Sequence, residues 1–183
     1  MHDATVGLGL LGCGRMGSIL ARAIVRRVPG ARLIAVADVD GAAARRLAEE
    51  LGIDAVSASG AELADRLDVQ GVVIAVSSAH HLEAVRAAAA AGRDIFCEKP
   101  LALTIADTAA AIDAAARASV RLQVGFMRRF DGAYAAELRA FVRAIARDES
   151  VAVDGEDGLA ALWIALAADR SMREGRPIAV AEA

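Results

Sequence analysis

At 183 residues and a net charge of −3, the chain is long enough for one well-cored domain with an appendix, and short for two full domains. Hydrophobic content reaches 56%, but charges interrupt every apolar run short of the ~18 residues of a membrane span, and scattered arginines give no footprint for nucleic acid or an anionic membrane. Met1-His2-Asp3 lacks the basic start of a secretory signal, and two cysteines without C-x-x-C spacing suggest neither a disulfide framework nor zinc, so a reduced cytoplasm is expected.

Val6 to Leu11 reads as a buried strand. It runs into Gly12-Cys13-Gly14-Arg15-Met16-Gly17, a G-x-G-x-x-G turn opening a helix over Arg15 to Arg27. A second strand spans Arg32 to Ala37 and is closed by Asp38. A helix follows from Gly41 to Leu51, with Gly52 at the expected C-terminal glycine position. Next come a short strand near Ala55-Val56, a short helix over Ala61 to Arg66, a β-branched strand from Val72 to Val76 and a helix from His80 to Ala91. Asp94 to Cys97 is a strand, Thr104 to Arg117 a helix, and Val120 to Val124 another strand. This alternation predicts an α/β fold: a Rossmann doubly wound parallel sheet. After Gly125 the pattern changes to two helices, Gly132 to Arg147 and Gly158 to Glu174, joined by the acidic loop Asp148 to Asp157; the tail Pro177 to Val180 is expected to be extended.

Ligands of open parallel sheets bind beyond the carboxyl ends of the strands, and the unusual residues of this chain fall there. In such a fold Gly12 makes the tight turn, Gly14 lets the backbone approach a pyrophosphate and Gly17 lets helix and strand pack closely. Asp38 lies 21 residues beyond Gly17, where a carboxylate accepts ribose hydroxyls and repels a 2′-phosphate, so NAD is expected over NADP. The competing reading is an exposed aspartate that opens the turn Asp38-Val39-Asp40-Gly41. Of 21 basic residues only Lys99 is lysine. Lysine, unlike arginine, exchanges a proton readily, so Lys99 in Glu98-Lys99-Pro100 is the candidate for binding a substrate hydroxyl and tuning its proton transfer; a solvated surface lysine is the alternative. Adjacent His80 and His81 point in different directions, so no metal site is expected. Cys13 and Cys97 are expected to fill space, and Arg128-Arg129 to hold an anion or a structural ion pair.

Gly12–Gly17, Glu98-Lys99-Pro100-Leu101-Ala102-Leu103-Thr104 and Gln123-Val124-Gly125-Phe126-Met127-Arg128-Arg129-Phe130-Asp131 together resemble the glucose–fructose oxidoreductase / inositol dehydrogenase family (Gfo/Idh/MocA), particularly its inositol 2-dehydrogenase branch. The resemblance implies a dinucleotide-binding Rossmann domain over residues 1–131. Residues 132–183 are then a truncated, helical C-terminal segment in place of the usual substrate domain. Family members insert a large antiparallel sheet after R-F-D that carries a D-x-x-x-H motif; here Asp131 passes almost directly into a helix, and no histidine follows His81.

The resemblance thus implies Lys99 as the catalytic group. Gly12, Cys13, Gly14, Arg15, Met16, Gly17, Asp38, Ser77, His81 and Glu98 are the implied NAD contacts. The expected function is NAD-dependent oxidation of a polyol or sugar hydroxyl. The alternative is dinucleotide binding without turnover, because the histidine-bearing segment is missing. Loss of the covering sheet predicts a homodimer or larger homo-oligomer formed through the terminal helices.

Overall fold

Apolar β-branched runs alternating with amphipathic helices bury best when strands lie parallel and helices cover both sheet faces. The computed structural model describes residues 5–126 and 134–182. In chain order it contains β1 (Val6–Leu11), α1 (Arg15–Arg27), β2 (Ala31–Ala37), α2 (Gly41–Leu51), β3 (Ala55–Val56) and α3 (Gly60–Asp65). These are followed by β4 (Gly71–Ile74), a 3-10 turn at Ser78–His80, α4 (His81–Ala90), β5 (Asp94–Glu98), α5 (Ile105–Ala118), β6 (Leu122–Gly125), α6 (Tyr134–Arg147) and α7 (Gly155–Glu174). The six strands form one sheet in the order β3-β2-β1-β4-β5-β6, and every pairing is parallel. All carboxyl ends therefore lie on one edge, and the winding reverses between β1 and β4.

Alternation along the strands sorts side chains into two layers. Leu8, Leu10, Val36, Val73 and Phe96 meet α1, α2 and α6, where Phe96 packs on Phe141 with ring centroids 6.0 Å apart. Ala35, Val72, Ile74, Ile95, Cys97 and Val124 meet α3, α4 and α5. Helix α7 closes the β6 edge. It packs on α5 and β6, and Val124 N–H donates to the Val153 carbonyl at 3.0 Å, so a loop occupies part of the edge a further strand would need. Arg121 fastens the start of β6 through its backbone N–H and guanidinium to Asp94, at 2.7 and 2.9 Å, and also reaches Asp148 beyond α6.

Among the described residues, three boundaries differ from the sequence expectation by two residues or more. β4 stops at Ile74 because Ala75 and Val76 turn against the glycine loop. β6 begins at Leu122, since Ser119 adopts φ 55° to end α5 and Val120 N–H is taken by the Ala115 carbonyl. α7 begins at Gly155, inside the expected acidic loop: Asp154 Oδ1 accepts from the N–H groups of Glu156 and Asp157, and Asp157 Oδ2 accepts from Asp154 N–H, a reciprocal capping box. The tail is not a strand; it ends in a 3-10 turn at Val180–Glu182. No helix among the described residues is long and apolar enough to cross a membrane.

Candidate functional site

The loop after β1 is built from backbone. Gly12 adopts φ +100°, and a Cβ there would stand 2.6 Å from the Ala75 backbone. A Cβ on Gly17 would stand 1.8 Å from the Gly12 carbonyl oxygen, so the first turn of α1 rests directly on the loop. Above Gly14 a Cβ would meet nothing within 4 Å. Gly14 also precedes α1 without any side-chain cap, which leaves the helix's first N–H groups without a side-chain acceptor from that position. The cradle fits an anionic pyrophosphate on both counts, steric access and positive helix end.

Asp38, beyond β2, is locked to this loop. Its Oδ2 accepts from Cys13 N–H at 2.6 Å and its Oδ1 from Asp40 N–H at 2.8 Å. Each carboxylate oxygen keeps a lone pair for a further donor such as a ribose hydroxyl. Cys13 is buried, with its thiol donating to the Ala37 carbonyl at 3.6 Å; burial and then the Asp38 charge push that thiol up to about 12. Cys97 is likewise enclosed, its thiol raised by burial first and by Glu98 second. Arg15 is exposed and Met16 packs partly into the α1 core layer.

On the other side of β1, Ser77 is exposed in the loop after β4. His81, placed among the expected cofactor contacts, is 1% exposed. Its Nδ1 lies 2.8 Å from the Pro100 carbonyl and its Nε2 3.2 Å from the Val76 carbonyl. The ring is therefore occupied in bracing the β4 loop against the turn after β5, and it orients that turn from behind; His80 is the solvated one of the pair. At the end of β5, Glu98 is buried and its Oε2 accepts from Lys99 N–H at 3.2 Å, while the Lys99 side chain is exposed at a cis Lys99–Pro100 bond. Arg128, Arg129, Phe130 and Asp131 lie outside the described residues.

Two residues of this neighbourhood carry no role in the sequence reading. Gln123 on β6 and Glu137 on α6 are both 0% exposed and lie on the Glu98 side of the sheet. Gln123 Nε2 donates to the Glu137 backbone carbonyl at 3.0 Å. Glu98 Oε1, Gln123 Oε1 and both Glu137 carboxyl oxygens have no hydrogen-bond partner among the described residues. Burial, then the nearby Glu98 charge, pushes Glu137 up to about 8; burial raises Glu98 too, opposed by the Lys99 N–H and the Lys99 charge. The available signal was helical phase: Glu137 shares the apolar stripe of Leu138 and Phe141, where an acid is out of place.

A glycine turn between strand and helix, a carboxylate ending the neighbouring strand and a switch point between β1 and β4 together define a dinucleotide-binding domain. Residues 6–126 match the family model for the oxidoreductase family, NAD-binding Rossmann fold, and residues 107–180 match its C-terminal alpha/beta domain. The chain belongs to this Gfo/Idh/MocA oxidoreductase family, and its cofactor is NAD. It is 42% identical over 134 residues to an inositol 2-dehydrogenase of Agrobacterium fabrum, covering 72% of this chain and 40% of that protein. It is 39% identical over 130 residues to the scyllo-inositol 2-dehydrogenase (NAD(+)) of Bacillus subtilis, covering 71% and 38%. The chain thus spans about two fifths of the length of these curated relatives. Among solved structures, a scyllo-inositol dehydrogenase from Lactobacillus casei with bound NAD(H) and scyllo-inositol superimposes with TM-score 0.66 at 33% identity, covering 69% of this chain and 38% of that one. A probable dehydrogenase from Thermotoga maritima superimposes with TM-score 0.92 at 20% identity over 97% of this chain and 99% of that one, so the compact architecture recurs as a fold.

Proposed function

We propose that the chain is an NAD-dependent oxidoreductase acting on the CH–OH group of a polyol or sugar, with residues 1–131 as the dinucleotide-binding domain and 132–183 as a helical segment. The observation that carries this reading is the placement of Asp38 and Lys99 on opposite sides of the glycine loop, at the ends of β2 and β5. Those strands are three positions apart in the sheet, about 14 Å at ordinary strand spacing, a separation that an extended dinucleotide bridges. Gly12, Gly14 and Gly17, with Cys13, Arg15 and Met16 of the same turn, form the pyrophosphate cradle; Asp38 takes the adenosine ribose, and Ser77 and Glu98 line the nicotinamide end. When bound, NAD supplies the hydride acceptor. Lys99, the sole lysine, binds the substrate hydroxyl through Nζ and takes up or returns its proton. His81 and Glu98 are positioning residues, fixing the turn that presents Lys99.

The second reading, a dinucleotide-binding protein without turnover, is favoured by one fact: no histidine follows His81 to serve as a base. A fluorescence titration with NADH and NADPH, followed by a polyol panel monitored for NAD reduction, separates the two. Wild type is expected to bind NADH at least ~10-fold tighter than NADPH, and Asp38→Ala to narrow that gap. Lys99→Ala is expected to lower turnover by about 100-fold or more while leaving NADH affinity within roughly threefold. NADH binding without any Lys99-dependent turnover selects the second reading.

A further inference from the structure

We propose that the outward face of α7 is a self-association surface on which a second copy of this chain docks its own α7 in antiparallel orientation. From Leu159 to Ala168 the helix reads Leu-Ala-Ala-Leu-Trp-Ile-Ala-Leu-Ala-Ala, with no polar residue on any side. A helix apolar all round belongs in an interior, yet of this run only Ala167 is fully buried. One side meets α5 and β6, where Gly158 approaches Val124 and Leu101. The other side carries Ala160, Ile164, Ala168 and Met172 at four-residue spacing, all exposed, with Ile164 at 59% and Met172 at 78%.

Two properties select a second copy as the occupant. The first is charge. The α7 start is acidic, with Asp154, Glu156 and Asp157, while Arg170, Arg173 and Arg176 outnumber Asp169 and Glu174 at its end. Antiparallel helices place each acidic end against the partner's basic end and oppose the helix dipoles, whereas parallel ones bring like ends together. The acidic start likewise disfavours an anionic membrane surface. The second is size. With a two-fold axis near Leu166, Met172 of each copy falls over Ala160 of the other and Ile164 over Ala168, so large side chains meet small ones in a self-complementary, closed contact. This surface is independent of the NAD cradle, so the proposal stands whichever functional reading holds.

The test is sedimentation equilibrium on the full chain across roughly 1 to 100 μM, the range in which a small interface is read. Wild type is expected to be dimeric, and Ile164→Glu or Met172→Glu to weaken the dimer at least 100-fold with unchanged helical circular dichroism, since both side chains are exposed. Glu156→Arg alone is expected to weaken association about tenfold, and adding Arg176→Glu to restore it. A wild-type monomer throughout the range overturns the proposal. So does a dimer indifferent to Ile164→Glu and Met172→Glu, or co-sedimentation of the monomer with phosphatidylserine vesicles through this face. NADH titration of the same variants is expected to be unchanged, which keeps this result separate from the cofactor reading.

Discussion

Glu137→Leu is expected to stabilise the protein in alkaline solution and to flatten its stability profile between mildly acid pH and about 8. Glu137 is fully buried on α6 with both oxygens unpartnered among the described residues, and burial followed by the Glu98 charge raises it to about 8. In the folded state the carboxyl holds its proton; in the unfolded chain it releases it near the ordinary value of 4.5. Between those limits the native state binds the extra proton, so stability falls as pH rises, by roughly 1.4 kcal/mol per pH unit for one group. The contribution is complete below the unfolded value and is lost on passing the folded one. Glu98, also raised, adds a slope of the same sign. Leucine removes the buried acid and the dependence together, an exchange of the kind that is often neutral or stabilising. Urea unfolding of both proteins at pH 5 to 9 measures this. Parallel profiles for wild type and Glu137→Leu would sink the assignment of a neutral buried acid.

Gly17→Ala is expected to have the opposite sign and a larger functional consequence. Its Cβ would lie 1.8 Å from the Gly12 carbonyl oxygen and 2.8 Å from the Gly12 carbon, both backbone atoms that no rotamer change moves away. Either α1 lifts from the loop or Gly12 abandons φ +100°, and both detach Cys13 N–H from Asp38. Overpacking of this kind costs about 1–3 kcal/mol and more where backbone is the obstacle. NADH affinity is expected to fall by at least ~100-fold, because the first N–H groups of α1 leave their common direction. Gly14→Ala is the informative partner: its Cβ meets nothing within 4 Å in the protein, so stability is expected to hold while NADH affinity drops. Wild-type NADH affinity in Gly14→Ala refutes the role given to the space above that residue.

The glycine spacing, the Asp38 offset and the solitary Lys99 were legible in the sequence because each is a local signal whose meaning depends on one strand end. The strand and helix pattern was legible for the same reason, with errors confined to ends where a cap or turn overrides hydrophobic phase. Asp154 and Asp157 show this most clearly: read as loop for their charge, they are a capping box that lengthens α7 by a turn. That two carbonyls, Pro100 and Val76, close around the His81 ring is not legible in any linear pattern, because the three residues meet only in the folded chain. Glu137 was passed over because burial of an acid is decided by what packs above it.

By itself the sequence determined the class of fold, the family resemblance and the order in which Gly12, Asp38, Ser77 and Lys99 meet the sheet edge. The fold class and that order follow from periodicity and spacing, which the backbone reads residue by residue, while the resemblance rests on three quoted motifs. The tertiary structure alone decided which strands are neighbours, and hence that Asp38 and Lys99 flank the glycine loop across β1 and β4. It also decided that Glu98, Gln123 and Glu137 share one buried layer and that α7 leaves an apolar side uncovered. Those facts depend on contacts between residues far apart in the chain, and desolvation, which sets their energies, belongs to the packed molecule rather than to any segment of it.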